Sequence, residues 1–158
     1  MFKKILVCLD GSSLAEKVLP YAVSEAQNHQ AELVLLRVIP EPSLISLALP
    51  GMPAVPVETG SMERQIKELE KEAESYLDAL ASKLQKESGL AVDVESTLGE
   101  AGEAIVEFAD DNEVDLIAIA THGRSGPGRV VLGSVADYVI RNTRLPILLI
   151  RPAPEKGK

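Results

Sequence analysis

The segment from Thr121 to Ser134, Thr-His-Gly-Arg-Ser-Gly-Pro-Gly-Arg-Val-Val-Leu-Gly-Ser, holds four glycines, two arginines and several hydroxyl residues. Glycine lets backbone amides approach an anion closely and adopt positive φ. Successive amides of that kind form an anion nest. Gly133-Ser134 opens an apolar-periodic stretch that reads as a helix, and a helix start presents unpaired N–H groups and partial positive charge. These are the parts of a phosphate cradle. The same residues also read as a plain surface loop, with Ser134 as an N-cap and Asp137 completing its box. No Gly-Lys-Ser or Gly-Lys-Thr follows at Walker A spacing. No Gly-x-Gly-x-x-Gly follows the first apolar run, so the dinucleotide fingerprint is absent.

Other residues with chemical potential are few. Asp10 ends the first apolar run; it either caps the turn at Gly11-Ser12-Ser13 or meets a ligand brought there by the glycine segment. His122 has no serine, cysteine or carboxylate partner that the sequence assigns, and acid–base work needs a placed partner. His29 falls near the end of the first helix and is expected to be exposed to solvent, where its charge suits the helix dipole. Arg124 and Arg129 meet either phosphates or surface carboxylates. Cys8 is the one cysteine, inside an apolar run, and reads as a buried, inert thiol.

These residues hang on an alternating series of elements. Ile5–Leu9, Leu33–Ile39, Leu116–Ala120 and Pro146–Ile150 are short runs without polar alternation, as expected of strands covered on both faces. Residues 91–97 alternate Val92, Val94 and Ser96 with Asp93 and Glu95, as an edge strand does. Ser13-Leu14-Ala15-Glu16 reads as a capping box opening a first helix, in which Pro20 is awkward. Met62 to Leu84 repeats apolar residues in steps of three and four, a long surface helix ended by Gly89. Residues 100–111 form a short helix with Ile105, Phe108 and Ala109 inward. Residues 134–142 form another, with Val135, Val139 and Ile140 inward. The irregular stretch Pro40–Gly60, with five prolines, is a flap or a contact surface.

Strict strand–helix alternation predicts an open parallel five-stranded sheet with helices on both faces and right-handed crossovers. Ligands in such sheets sit beyond the carboxyl ends of strands, where the strand order reverses. The places to search therefore follow Leu9, Val38, Thr97 and Ala120. The length of 158 residues favours one domain, here 1–152 with a loose tail at 153–158. A formal net charge of -8 opposes sequence-independent binding to nucleic acid and to anionic membranes. No apolar stretch approaches the roughly 20 residues of a membrane span, and the N-terminus does not read as a signal peptide, so a cytoplasmic location is expected.

With the elements in order, the chain resembles the universal stress protein family, and specifically its ATP-binding members. That pattern is a glycine, two residues, a glycine, nine residues, then Gly-Ser or Gly-Thr. Gly123, the residues Arg124 to Leu132, and Gly133-Ser134 match it in identity and spacing, whereas Ala120 replaces the first glycine. Lys3-Lys4-Ile5-Leu6-Val7 through Asp10-Gly11-Ser12, the Val38 strand and Leu145–Ile150 are similar too. The resemblance implies a Rossmann-like sheet of order 3-2-1-4-5. It implies that Leu9 and Asp10 lie at ribose and adenine, that Val38 reads the adenine edge, and that Ala120 lines the same site. Gly123, Gly133, Ser134 and Val135 would hold phosphates, flanked by His122 and Arg124. A Mg²⁺ would be carried mainly by phosphate oxygens.

The resemblance also implies a homodimer through antiparallel pairing of the Pro146–Ile150 edge, unless the tail or a loop covers it. The functional expectation is an adenine-nucleotide-binding regulatory protein of stress response, taking ATP, or AMP or ADP, with little or no hydrolysis. The alternatives are a nucleotide-independent interaction protein of the same fold, for which Ala120 speaks, and a slow ATPase. An ATP-pyrophosphatase would need a Ser-Gly-Gly-x-Asp-Ser loop that Asp10-Gly11-Ser12-Ser13 does not supply. A phosphoaccepting receiver domain would need an aspartate where Ser96-Thr97 stands.

Overall fold

The computed structural model describes residues 1–41, 59–121, 124–126 and 129–151, with the backbone alone at 59, 124–126 and 129–131. Most of the Pro40–Gly60 stretch, residues 122–123 and 127–128, and the residues from 152 on lie outside the described residues. Five strands make one parallel sheet: β1 (Lys4–Leu9), β2 (Glu32–Ile39), β3 (Val92–Leu98), β4 (Leu116–Ala120) and β7 (Ile147–Ile150), in the order β3-β2-β1-β4-β7. Two short strands, β5 (Arg124–Gly126) and β6 (Arg129–Val131), pair antiparallel as a separate hairpin.

The unbroken apolar runs are explained by burial on two sides. Ile5, Val7, Leu9, Leu33 and Leu35 face one core, built with Ala22 and Ala26 of α1 (Leu19–His29) and with Leu77, Ala81 and Leu84 of α2 (Thr59–Ser88). Leu6, Cys8, Val34, Leu36, Ile117 and Ile119 face the other. That core is completed by Ile105 and Ala109 of α3 (Ala101–Asp111) and by Ala136 and Val139 of α4 (Ser134–Asn142). Each fully buried Leu, Ile or Val contributes about 1.5–3 kcal/mol from area removed from water. β3 is an outer strand, and Asp93 and Glu95 point to solvent as their alternation predicts. β7 is the other outer strand, and all four of its residues are half-buried.

Several local expectations are corrected. The first helix opens as a 3-10 turn at Ala15–Val18, and α1 proper starts at Leu19. Pro20 thus falls in the first turn of α1, where a missing N–H costs nothing. The hydroxyl that serves this start is that of Ser12, not Ser13: Ser12 Oγ accepts the Ala15 N–H at 3.1 Å. Gly133, rather than Ser134, is the N-cap of α4, and no side chain caps it. Asp137 instead binds Arg141 Nε through its carboxylate at 2.9 Å. Ile140 is 39% exposed, and Ala136 takes its inward place. His29 is half-buried, with its ring edge-on to Phe2 at 4.9 Å and its Nε2 3.6 Å from Glu25.

The long helix α2 behaves as two halves. Ala73, Leu77, Ala81 and Leu84 are buried against the sheet, while Met62, Ile66 and Leu69 are only half-buried. A helix of 30 residues runs about 45 Å, longer than the strands it covers. Its first half therefore overhangs the carboxyl end of the sheet. Gly89 closes it with φ +72°, the left-handed conformation expected of a C-terminal glycine.

Candidate functional site

The carboxyl ends of β1 and β4 are neighbours, and the chain leaves them in opposite directions: from β1 back to β2 through α1, and from β4 out to β7. This is the reversal point where parallel sheets bind ligands. A cleft of about 110 Å³ opens there. Leu9, Asp10, Val38, Ala120 and Val135 line it together. Cys8, Ala15, Leu36, Ala101, Ile105 and Ile119 complete the wall. A second hollow of about 310 Å³ shares Ala101 and Val135 with the first and continues past Glu100, Gly102, Glu103, Ser134 and Tyr138. Jointly they fall within the roughly 300–1,000 Å³ of small-molecule sites; the first alone does not.

The floor of this site is apolar and the polar groups stand at its rim. Cys8 is 6% exposed, and burial pushes its thiol up to about 12, so it stays protonated and serves as lining. Asp10 is exposed, and its Oδ1 accepts the Ser12 N–H at 2.8 Å, folding the turn after β1. Gly11 lies at φ +84°, so that turn needs glycine. The Arg37 guanidinium covers it: a β-carbon on Gly11 would sit 3.4 Å from Arg37 Cζ. Arg37 also stacks over the Tyr76 ring at 5.5 Å and meets Glu72 at 3.4 Å. Tyr76 donates its hydroxyl to Glu16 at 2.9 Å, and burial together with Glu16 pushes its pKa up. This cluster ties the overhanging α2 to the turn that carries Asp10.

The second rim is the start of α4. Gly133 adopts φ -62° and ψ 151°, an extended conformation open to any residue. Among the described residues a β-carbon there would meet Thr121 Oγ1, at 3.4 Å, the near edge of an ordinary contact. Neither backbone conformation nor crowding within the described residues requires glycine at this position. The Gly133 N–H is not free: it donates to Thr121 Oγ1 at 2.9 Å. The first-turn amides of Ser134, Val135 and Ala136 have no intrahelical acceptor, as at any helix start. Close to them Gly102 lets α3 approach α4, since a β-carbon there would fall 2.7 Å from Tyr138 Cγ.

Of the residues the sequence singled out, His122 and Gly123 lie outside the described residues. Arg124 is in β5, with only its backbone described. The hairpin formed by β5 and β6 was not expected from a segment that reads as a loop. Ala120 lines the cleft, but it also packs with the Leu9 and Ala15 cluster on the α1 and α2 side. Thr121 and the α3 residues Ala101 and Ile105 were missed. A period of two would have placed Cys8, Leu36 and Ile119 on the face of Asp10 and Val38. Nothing local signals the Thr121–Gly133 bond. Among the described residues no three metal-binding side chains gather, and no helix is long and apolar enough to cross a membrane.

Comparison with known proteins agrees with this geometry. The profile of the Universal stress protein family matches residues 1–151. The chain is 33% identical over 151 residues to universal stress protein YxiE of Bacillus subtilis, covering 96% of this chain and 100% of YxiE. The structure of MJ0577, a universal stress protein of Methanocaldococcus jannaschii, superposes with a TM-score of 0.77 at 27% identity, covering 97% of this chain and 98% of that one. A universal stress protein of Archaeoglobus fulgidus, solved in complex with dAMP, shares the fold at a TM-score of 0.62 and 24% identity, over 94% of this chain and 97% of its own. Sheet order, cleft and whole-length similarity lead to one assignment: this chain belongs to the universal stress protein family.

Proposed function

We propose that this protein is a regulatory module that binds an adenine nucleotide, ATP, or AMP or ADP, in the cleft between β1 and β4. One observation carries the reading: among the described residues, neither the backbone of Gly133 nor its neighbours require a glycine there. A bare α-carbon beside uncapped helix amides makes room for an incoming group, and the donors there favour an anion. Adenine and ribose would occupy the apolar cleft between Val38, Ala120 and Val135, with Asp10 at the ribose. The phosphates would lie toward Ser134, Val135 and the hairpin that carries Arg124, with His122 and Gly123 flanking them. The Archaeoglobus fulgidus relative solved with dAMP supports the adenine end of this reading.

Described acidic groups at the rim, Asp10, Glu100 and Glu103, repel a bare triphosphate. A Mg²⁺ riding mainly on phosphate oxygens would offset that repulsion when bound. The residues here then bind and orient. The proposed role is to hold the nucleotide with little or no hydrolysis, since turnover would need a positioned water and a placed base. Calorimetric titration with MgATP tests the reading: saturable heat is expected, and none at millimolar ligand sinks it. The narrowness of the first hollow, about 110 Å³, favours a second reading, a nucleotide-independent interaction protein. A melting temperature unmoved by excess ATP would establish that alternative, because a ligand of the folded state must stabilise it.

The proposed regulatory unit is a homodimer. Among the described residues β7 ends the sheet with no strand on its outer edge, and Ile147, Leu148, Leu149 and Ile150 are half-buried. Such an edge invites antiparallel pairing with a second copy. Leu148→Lys is expected to elute as a monomer on a sizing column; an unchanged dimer would refute the edge model. The compact unit proposed spans 1–152.

A further inference from the structure

We infer that Thr121 is a positioning residue: its hydroxyl holds the start of α4 so that nucleotide phosphates are met by the Ser134 and Val135 amides and not by that of Gly133. The inference rests on the nucleotide-binding reading above and goes one step further. Thr121 is the only buried polar side chain among the described residues, at 3% exposure. Buried hydroxyls need partners, and this one spends its acceptor on the Gly133 N–H at 2.9 Å, across a gap of 12 residues. The backbone of Thr121 is itself fixed, since its N–H donates to Ile150 O of β7 at 2.9 Å. Gly133 is fixed from its other side too, because its carbonyl accepts the Asp137 N–H at 2.9 Å in the first bond of α4.

The bond therefore clamps the base of the β5–β6 hairpin and ties α4 to the end of β4. It has two chemical consequences. Thr121 turns the Gly133 amide away from service as an anion donor, and Gly133 contributes its missing side chain in place of its N–H. The anion is shifted one or two residues into the helix, toward donors with no intrahelical acceptor. Adenine and ribose contacts at Asp10 and Val38 do not pass through this clamp. Thr121 should accordingly govern how strongly phosphates add to binding, and leave the nucleoside end alone.

The test compares ATP with adenosine on the full chain. Thr121→Val keeps the shape and removes the hydroxyl; Thr121→Ser keeps the hydroxyl. In the wild type, ATP must bind, or the parent reading fails. Given that, Thr121→Val is expected to lower ATP affinity roughly tenfold with adenosine affinity unchanged, and Thr121→Ser to restore the ATP-to-adenosine ratio. An unchanged ratio in Thr121→Val, or an equal loss for both ligands, overturns the inference. Should the valine variant not fold, amide NMR on the wild type decides. The Gly133 N–H is expected to resist exchange without nucleotide and to shift less on ATP addition than those of Ser134 and Val135. A Gly133 amide that exchanges freely until ATP arrives overturns it.

Discussion

β1 and β4 run side by side, and their two ends have opposite characters. At the amino end the polar groups of Lys3, Lys4, Glu32 and Asp115 bond to one another. The Asp115 carboxylate accepts the N–H groups of Lys3 at 2.7 Å and Lys4 at 3.0 Å, and the Asp115 N–H returns a bond to Lys4 O at 2.9 Å. Glu32 N–H adds a bond to Lys3 O at 2.9 Å, drawing β2 into the same knot. At the carboxyl end the strands stop, Asp10 bends into its own turn, and the first amides of α4 have no intrahelical acceptor. The same pair of strands is thus closed at one end and open at the other. The polar groups that satisfy each other gather at the amino end, and the proposed binding site lies at the other.

The two glycines at the open end sharpen the contrast, and they are separable by mutation. Gly11→Ala forces a side chain into φ +84°, which costs about 1–2 kcal/mol. For a chain of this size the melting temperature should fall by about 2–8 °C. No fall would mean that the Asp10 turn is not held in this conformation. Gly133→Ala faces no backbone penalty, so its stability should stay within about 0.5 kcal/mol of the wild type. Its ATP affinity is expected to drop roughly tenfold, about 1.4 kcal/mol, because the methyl fills the bare face. Calorimetry beside thermal melting reads both quantities. An alanine variant that binds like the wild type would remove the main support for the nucleotide reading.

The closed parts of this molecule were the legible ones. Runs such as Ile5–Leu9 and Leu116–Ala120 declare two-sided burial because no polar residue interrupts them, and Asp93 and Glu95 mark an outer strand. Cap assignments failed by one residue at Ser12 and at Gly133, since neighbouring hydroxyls and glycines offer nearly equivalent local bonds and packing chooses between them. The open end was legible in part. Asp10 and Val38 follow from the rule about strand ends, whereas Val135 came with the family resemblance. Thr121 was invisible because its partner is 12 residues away, and no local period encodes such a bond. Ala101 and Ile105 read as core residues, and only the docking of α3 beside α4 turns them into a cleft wall.

The smallest expected effect belongs to the closed end and depends on pH. Two backbone N–H groups stabilise the ionised Asp115 carboxylate and hold its pKa below the ordinary carboxylate value. A group with a depressed folded pKa stabilises the protein fully above its unfolded value of about 3.9. That contribution fades as pH falls and is gone below the folded pKa. Asp115 is close to solvent, so screening keeps the effect modest. Asp115→Asn keeps a carbonyl acceptor and removes the charge, so it should lose slightly more stability at neutral pH than in acid. Urea unfolding at pH near 7 and near 3 should show the wild type and the variant converging in acid. ATP affinity should match the wild type at neutral pH, because the knot lies at the far end of the strands from the cleft. A constant stability gap across that pH range would show that Asp115 acts by shape alone, and altered ATP affinity would show that the two ends of β1 and β4 are not independent.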